Sequence, residues 1–306
     1  MQLLGVDFSS APSTRKPIVV AHGVRAGAVL RLQALQRLPR MADFEALLQA
    51  PGPWVGGFDL PFGLPRAFVQ AQGLGDTAES VIAELQRRCP TRMAFRALVD
   101  AWGNTQPAGR RLLHRATDSA MPGITSTSPL QTRYVPVGFM YYEGFSRLMN
   151  AGVHAPLHGA APCTPLHGAA PRTPLHSAAP RTPLHGAAPA PPGERPRVAL
   201  EAYPGLLAHE LIGRRSYKND DSSERLLARK DILEALEQGR TRLGLRLKLT
   251  PGQAGEVVAD AGGDLLDAVL CLAQAAWAHT QPHWGQPEGV DAIEGWITSA
   301  GAPPLS

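Results

Sequence analysis

The sequence predicts an α/β fold: a mixed five-stranded sheet flanked by helices, with a Pro/His-rich low-complexity insertion. Three observations carry this. Short β-branched or apolar runs alternate with stretches of helical periodicity on both flanks of the chain. The first three strand candidates follow one another as a meander before any helix pattern begins. Between the flanks, His154 to Pro192 forms a near-perfect repeat with proline every few residues.

"LLGVDFS" (Leu3 to Ser9) is an apolar run that meets an acid and then small residues, as a buried strand meets its loop. "KPIVVAHGVRAGAVLRLQAL" gives a second strand around Ile18 to Val20, a glycine-containing turn, and a third strand near Val29 to Leu35. "MADFEALLQA" (Met41 to Ala50) places Phe44, Leu47 and Leu48 on one helical face. "PWVGGFDLPFGLP" reads as a fourth strand, stopped by Pro61 and Pro65. Residues 66 to 103 show i, i+3/i+4 apolar spacing, residues 104 to 136 an irregular polar loop, and Tyr141 to Gly152 a further helix. "RVALEAYPG" supplies a fifth strand, and "SSERLLARKDILEALEQG" an amphipathic helix with serine near its start. Gly262 to His279 is a buried-helix pattern with two acids on its first turns. The order of the first half resembles the ribonuclease H-like arrangement. Residues 1–152 and 196–298 are therefore expected to form two parts of one domain, with 153–195 inserted and flexible.

A hydrophobic share of 44% suits a globular core, and a net charge of +4 permits a phosphate-bearing partner without demanding one. Surface solubility explains the same excess equally well. "MQLLGVDFSS" lacks the pattern of a signal peptide, and no run of about 18 apolar residues suggests a membrane span. Cys89, Cys163 and Cys271 form neither a disulfide framework nor a paired-cysteine metal motif. A cytoplasmic protein is expected.

The insertion holds four copies of a nine-residue unit, with Pro-Leu-His at 156, 165, 174 and 183. Its proline content favours an extended linker over a packed solenoid. His158, His167, His176 and His185 offer a soft divalent-ion array only if the chain folds back on itself. Removal of residues 156–190 is expected to leave folding and any metal-dependent activity intact.

Chemistry is expected instead where apolar segments end in acids. Asp7 and Asp59 close strands, Glu201 lies in "VALEAYPG", and Asp264 and Asp267 open the last helix three residues apart on one face. In an open sheet, strand ends and adjoining helix starts gather at one crevice. Clustered carboxylates repel one another unless a cation compensates, and hard oxygen ligands suit Mg²⁺ or Mn²⁺. Two such ions about 4 Å apart can drive phosphodiester cleavage. Separate surface or capping acids are the alternative, and the helix dipole alone accounts for Asp264.

"GVDFSSAP", "GGFDLPFGLP", "EAYPGLL...YK", "GDLLDAVLCLAQAAWA" and "EGWI", in that order, resemble a bacterial and archaeal domain-of-unknown-function family described as predicted ribonuclease H-like nucleases. The resemblance spans both flanks and skips the repeat. The wider superfamily includes Holliday-junction resolvases with an acid on strand one, another ending strand four and D-x-x-D-A on the last helix. That implies catalytic, metal-binding roles for Asp7, Asp59, Asp264 and Asp267. It leaves Glu201 as a further ligand or as a residue that orders the ligands. Lys218, Arg133 and Tyr134 are candidate substrate contacts, against a plain surface role for each. Trp284 and Trp296 fit either base stacking or core packing.

The expected function is thus a metal-dependent nuclease using Mg²⁺ or Mn²⁺ on a nucleic acid or nucleotide. A phosphoryl-transfer ATPase or kinase is a weaker alternative, since "DFSSAPSTRKP" lacks a glycine pair and no GxxxxGK[ST] occurs. A non-catalytic nucleic-acid-binding module of the same fold is the third.

Overall fold

A computed structural model describes residues 1–121, 123–158 and 196–301. The later repeat copies, with Cys163 and with His167, His176 and His185 of the proposed histidine array, lie outside the described residues. The sheet has six strands: β1 (Gln2–Asp7), β2 (Ile18–Ala26), β3 (Val29–Leu38), β4 (Trp54–Asp59), β5 (Arg197–Glu201) and β6 (Arg246–Lys248). Their order is β5-β4-β1-β2-β3-β6. β1, β2 and β3 form the antiparallel meander, and β4, β5 and β6 join in parallel. The sheet is therefore six-stranded, not five-stranded. The added strand is three residues with only Leu247 buried, too short to show a period of two.

Helices cover both faces. α1 (Met41–Leu48), α2 (Arg66–Ala71), α3 (Ala78–Arg88) and α4 (Arg92–Asn104) are followed by α5 (Val137–Met140). A π-helical turn, Tyr141–Phe145, joins α5 directly to α6 (Ser146–Asn150). All of these contribute to a core with Val6, Val20 and Phe58 from one face of the sheet. α7 (Pro204–Ile212), α8 (Ser223–Gln238), α9 (Pro251–Ala259) and α10 (Asp264–Ala278) cover the other face, against Leu3, Val19, Val55 and Leu200. The result is three layers, helices on sheet on helices. No helix among the described residues is long and apolar enough to cross a membrane.

α10 lies across the middle of the sheet, and every residue from Leu265 to Ala278 is buried. The contact depends on two glycines. Gly5 of β1 and Gly57 of β4 are direct partners in the parallel ladder. A Cβ on Gly5 would sit 2.0 Å from the Ala268 carbonyl and 2.2 Å from the Leu272 nitrogen. One on Gly57 would sit 2.5 Å from the Cys271 carbonyl. Helix backbone thus rests on strand backbone, an approach that only residues without a Cβ allow.

The first residues of the segment expected to be an insertion pack against the fold. Val153 and Ala155 are buried, and His154 bridges to Val198, with its N–H donating to the Arg197 carbonyl at 2.8 Å. His158, from the first repeat copy, packs its ring 5.0 Å from that of Phe145 and 6.3 Å from that of Phe62. Burial pushes its pKa down to about 4, so the imidazole is neutral. Residues 153–158 therefore pack against the body, and a deletion starting at Pro156 removes a ring that contacts two core phenylalanines.

Gly5→Ala and Gly57→Ala are each expected to lower stability by about 3 kcal/mol, whereas Gly255→Ala on α9, with nothing within 4 Å, should hold or raise it; denaturant titration compares the three. His158→Ala should cost roughly 2 kcal/mol, and wild-type stability for this variant would return residues 153–158 to the insertion.

Candidate metal centre

The period of two along a strand carries the glycine contact onward to the acids. Asp7 stands two residues past Gly5, and Asp59 two past Gly57, so both side chains share the face that α10 covers. They are also direct ladder partners. Asp267 precedes Ala268, the residue whose carbonyl meets Gly5, and it points to the same place. One carboxylate oxygen from each of Asp7, Asp59 and Asp267 lies within 4.8 Å of the others. Asp7 and Asp267 are buried, with Asp59 half-buried.

Such crowding is unfavourable without a cation. Burial, then the neighbouring Asp267, Asp59 and Asp264, push the Asp7 pKa well above the usual carboxylate range. Burial and then Asp267 raise Asp59 to about 7. Asp267 is raised by burial too, but is partly offset by Lys218. The donor set is three hard oxygens in a largely buried, acidic site, which fits a divalent cation such as Mg²⁺ or Mn²⁺.

Lys218 is brought to the trio. Its ammonium donates to Asp267 Oδ2, and Tyr217 donates its hydroxyl to Oδ1 at 2.7 Å. Burial opposes the lysine's charge, but Asp267, Asp59 and Asp7 outweigh it and raise its pKa. Arg229, a fully buried α8 residue, holds this loop by donating to the carbonyls of Tyr217 at 2.9 Å, Val258 at 2.8 Å and Asp220 at 3.3 Å. Gly263 (φ 78) precedes α10, and a Cβ there would lie 2.9 Å from Lys218 Cγ, so glycine serves both the turn and the passage of the lysine stem. Tyr217 and Arg229 escape sequence reasoning. "SYK" holds the tyrosine in plain view, but an arginine in an amphipathic helix reads as a solvated face.

Asp264 lies one turn from the trio and outside its ligand group. It pairs with Lys16 at 2.7 Å. The capping role belongs to Asp260, whose Oδ2 accepts from the Leu265 N–H at 2.8 Å. Glu201 departs further. It pairs in register with Phe58, which faces the opposite core, so its side chain leaves the sheet on the side away from Asp7 and Asp59. There Arg115 grips both its oxygens, at 2.6 and 2.9 Å, and the Phe62 N–H donates to it at 3.0 Å. Glu201 is a buried strut between β5 and the 115–118 turn, and it is not a member of the acid trio. Arg133 pairs with Asp100 of α4 at 2.6 Å, and Tyr134 is 98% exposed with φ 59. No described hydrogen bond or ion pair ties either to the acids. Trp284 and Trp296 pack against core clusters. A cavity of about 530 Å³ lies in the other helical layer, lined by Arg92, Tyr141, Tyr142 and Arg147, and none of the acids reaches it.

A carboxyl with a higher pKa folded than unfolded binds its proton preferentially in the folded state. The metal-free protein therefore loses stability as pH rises from about 4 towards 7 through Asp59. A divalent ion replaces those protons, so its stabilising effect must grow over the same interval. Mn²⁺ at a hundredfold excess over its Kd should add about 3 kcal/mol at pH 8 and little at pH 5, read as Tm shifts. Asp59→Asn should raise the metal-free Tm at pH 8 and cancel the Mn²⁺ response; an equal Mn²⁺ shift at both pH values would contradict this. Compared with known proteins, the chain matches no family model, no curated protein and no solved structure.

Proposed function

We propose that the protein is a metal-dependent nuclease of ribonuclease H-like architecture, hydrolysing phosphodiester bonds of a nucleic acid or nucleotide with Mg²⁺ or Mn²⁺. The observation that carries this reading is the trio Asp7, Asp59 and Asp267, with ligand oxygens within 4.8 Å of one another at the carboxyl ends of two adjacent parallel strands. The meander β1-β2-β3 followed by parallel β4 and β5 on the far side of β1 supports the architectural part. When bound, a divalent ion supplies polarisation of a phosphate oxygen and acidification of a water.

The chain's own residues provide the rest. Asp7, Asp59 and Asp267 hold the cation, and α10 fixes Asp267 relative to the two strand acids. Tyr217 directs one oxygen of Asp267 by its hydrogen bond. Lys218 and, farther out, Lys16 add positive charge beside the acids, which favours an anionic substrate over a neutral one. Asp264 holds Lys16 at this rim, so its contribution is to position charge. Arg133 and Tyr134 stand on a separate loop and are left out of the catalytic proposal. We place the activity in the cytoplasm, in keeping with the free buried thiols of Cys89 and Cys271.

The test is incubation with labelled single-stranded, duplex, hybrid and branched oligonucleotides in Mn²⁺, Mg²⁺ or EDTA. Cleavage should require the metal and fall by about 100-fold or more in Asp7→Asn and Asp267→Asn. Absence of cleavage together with metal-dependent ATP turnover would replace the nuclease by the phosphoryl-transfer class. Tight nucleic-acid binding with neither activity would leave a binding module.

A further inference from the structure

Two of the chain's four lysines, Lys16 and Lys218, stand at the acids, in a protein that otherwise uses 26 arginines for positive charge. The choice at position 218 is physical. An arginine fork would lock two oxygens of one carboxylate in a fixed plane, whereas an ammonium is a compact point charge that can serve several oxygens. The Lys218 ammonium contacts Asp267, one of the three residues of the ligand group, and the charges of Asp59 and Asp7 act on it from beyond ion-pair distance. It also lies 5.3 Å from the centre of the Tyr217 ring. Its side chain keeps about a third of its surface, 34%, exposed, so the path from the cluster to solvent is open. Its backbone, by contrast, is anchored: Arg225 donates to the Lys218 carbonyl, and Arg229 holds the carbonyls on either side.

We infer that Lys218 is a tethered counter-ion: its ammonium pairs with Asp267 of the Asp7–Asp59–Asp267 trio in the metal-free protein and is displaced to solvent when a divalent ion binds. The inference rests on the metal-binding reading above and deepens it. Three carboxylates in a buried pocket cannot all remain ionised without positive charge. A charge on a flexible stem stabilises the empty site and yields to a divalent ion, which neutralises more charge at shorter range. The freed ammonium stays at the mouth of the site through its fixed backbone, where an anionic substrate arrives. Metal loading and presentation of a phosphate-binding cation are thereby one event.

Two measurements test this. Amine-reactive labelling of the wild-type protein, followed residue by residue by mass spectrometry with and without Mg²⁺, should show Lys218 becoming at least about fivefold more reactive with metal. Exposed Lys230 and Lys248 should not change. Mn²⁺ titration, by calorimetry or by the spectrum of the free ion, should give Lys218→Met an affinity about tenfold tighter than wild type, because a competing charge is gone. Wild-type Mn²⁺ binding with flat Lys218 labelling and an unchanged or weaker Lys218→Met affinity would overturn the counter-ion and leave the metal site standing. Absence of Mn²⁺ binding to either protein would overturn both. Should Lys218→Met fail to fold, the labelling of wild type decides alone.

Discussion

The contact between the α10 backbone and the glycine pair Gly5–Gly57 is the constraint on which the rest of the structure depends. It sets the height of the helix above the sheet at the one place where any side chain would lift it. Because strand side chains alternate and helix side chains follow from their turn, that height also sets the separation of Asp7, Asp59 and Asp267. Fold and site are coupled through this backbone contact. Apolar residues line α10 elsewhere and fill the layer, but they could do so with the helix lying farther out. The glycines exclude nothing and so let the acids converge.

Convergence works against stability. Buried like charges raise one another's pKa, and the protein carries that penalty in a region otherwise packed with leucine and alanine. The surroundings contain it by specific means. Tyr217 and Lys218 satisfy Asp267, Arg229 braces their loop from inside α8, and Lys16 faces Asp264 at the rim. The other buried charge network, Arg115 with Asp118 and Glu201, has the opposite character. There one guanidinium faces two carboxylates and bonds to both oxygens of each, and the group ties β5 to the loop after α4. In one network every acid meets a guanidinium directly; in the other, Asp7 and Asp59 have no ion-pair partner among the described residues. That difference separates a structural cluster from one poised for a ligand.

Much of this was legible in the sequence, and the misses have physical causes. Asp7, Asp59 and Asp267 stood out because each ends or opens an apolar run, a signal that survives without register. Glu201 carried the same signal and misled. Which face it occupies depends on its pairing with Phe58, and ladder register is a tertiary property. The meander and the long helices were visible from periodicity. α7 and α9 were not, although Pro204 and Pro251 at their first turns and the Thr250–Gln253 capping box mark them in hindsight. The repeat looked uniform, yet its first histidine packs between phenylalanines, since a copy beside a folded strand has a core to join.

Whether the three acids form a divalent-cation site is decided by a crystal structure of the protein grown with Mn²⁺, with anomalous data collected at the manganese edge. Anomalous density should appear bounded by carboxylate oxygens of Asp7, Asp59 and Asp267, with the Lys218 ammonium withdrawn from Asp267. Full-strength density elsewhere, with the trio still closed on Lys218, would contradict such a site.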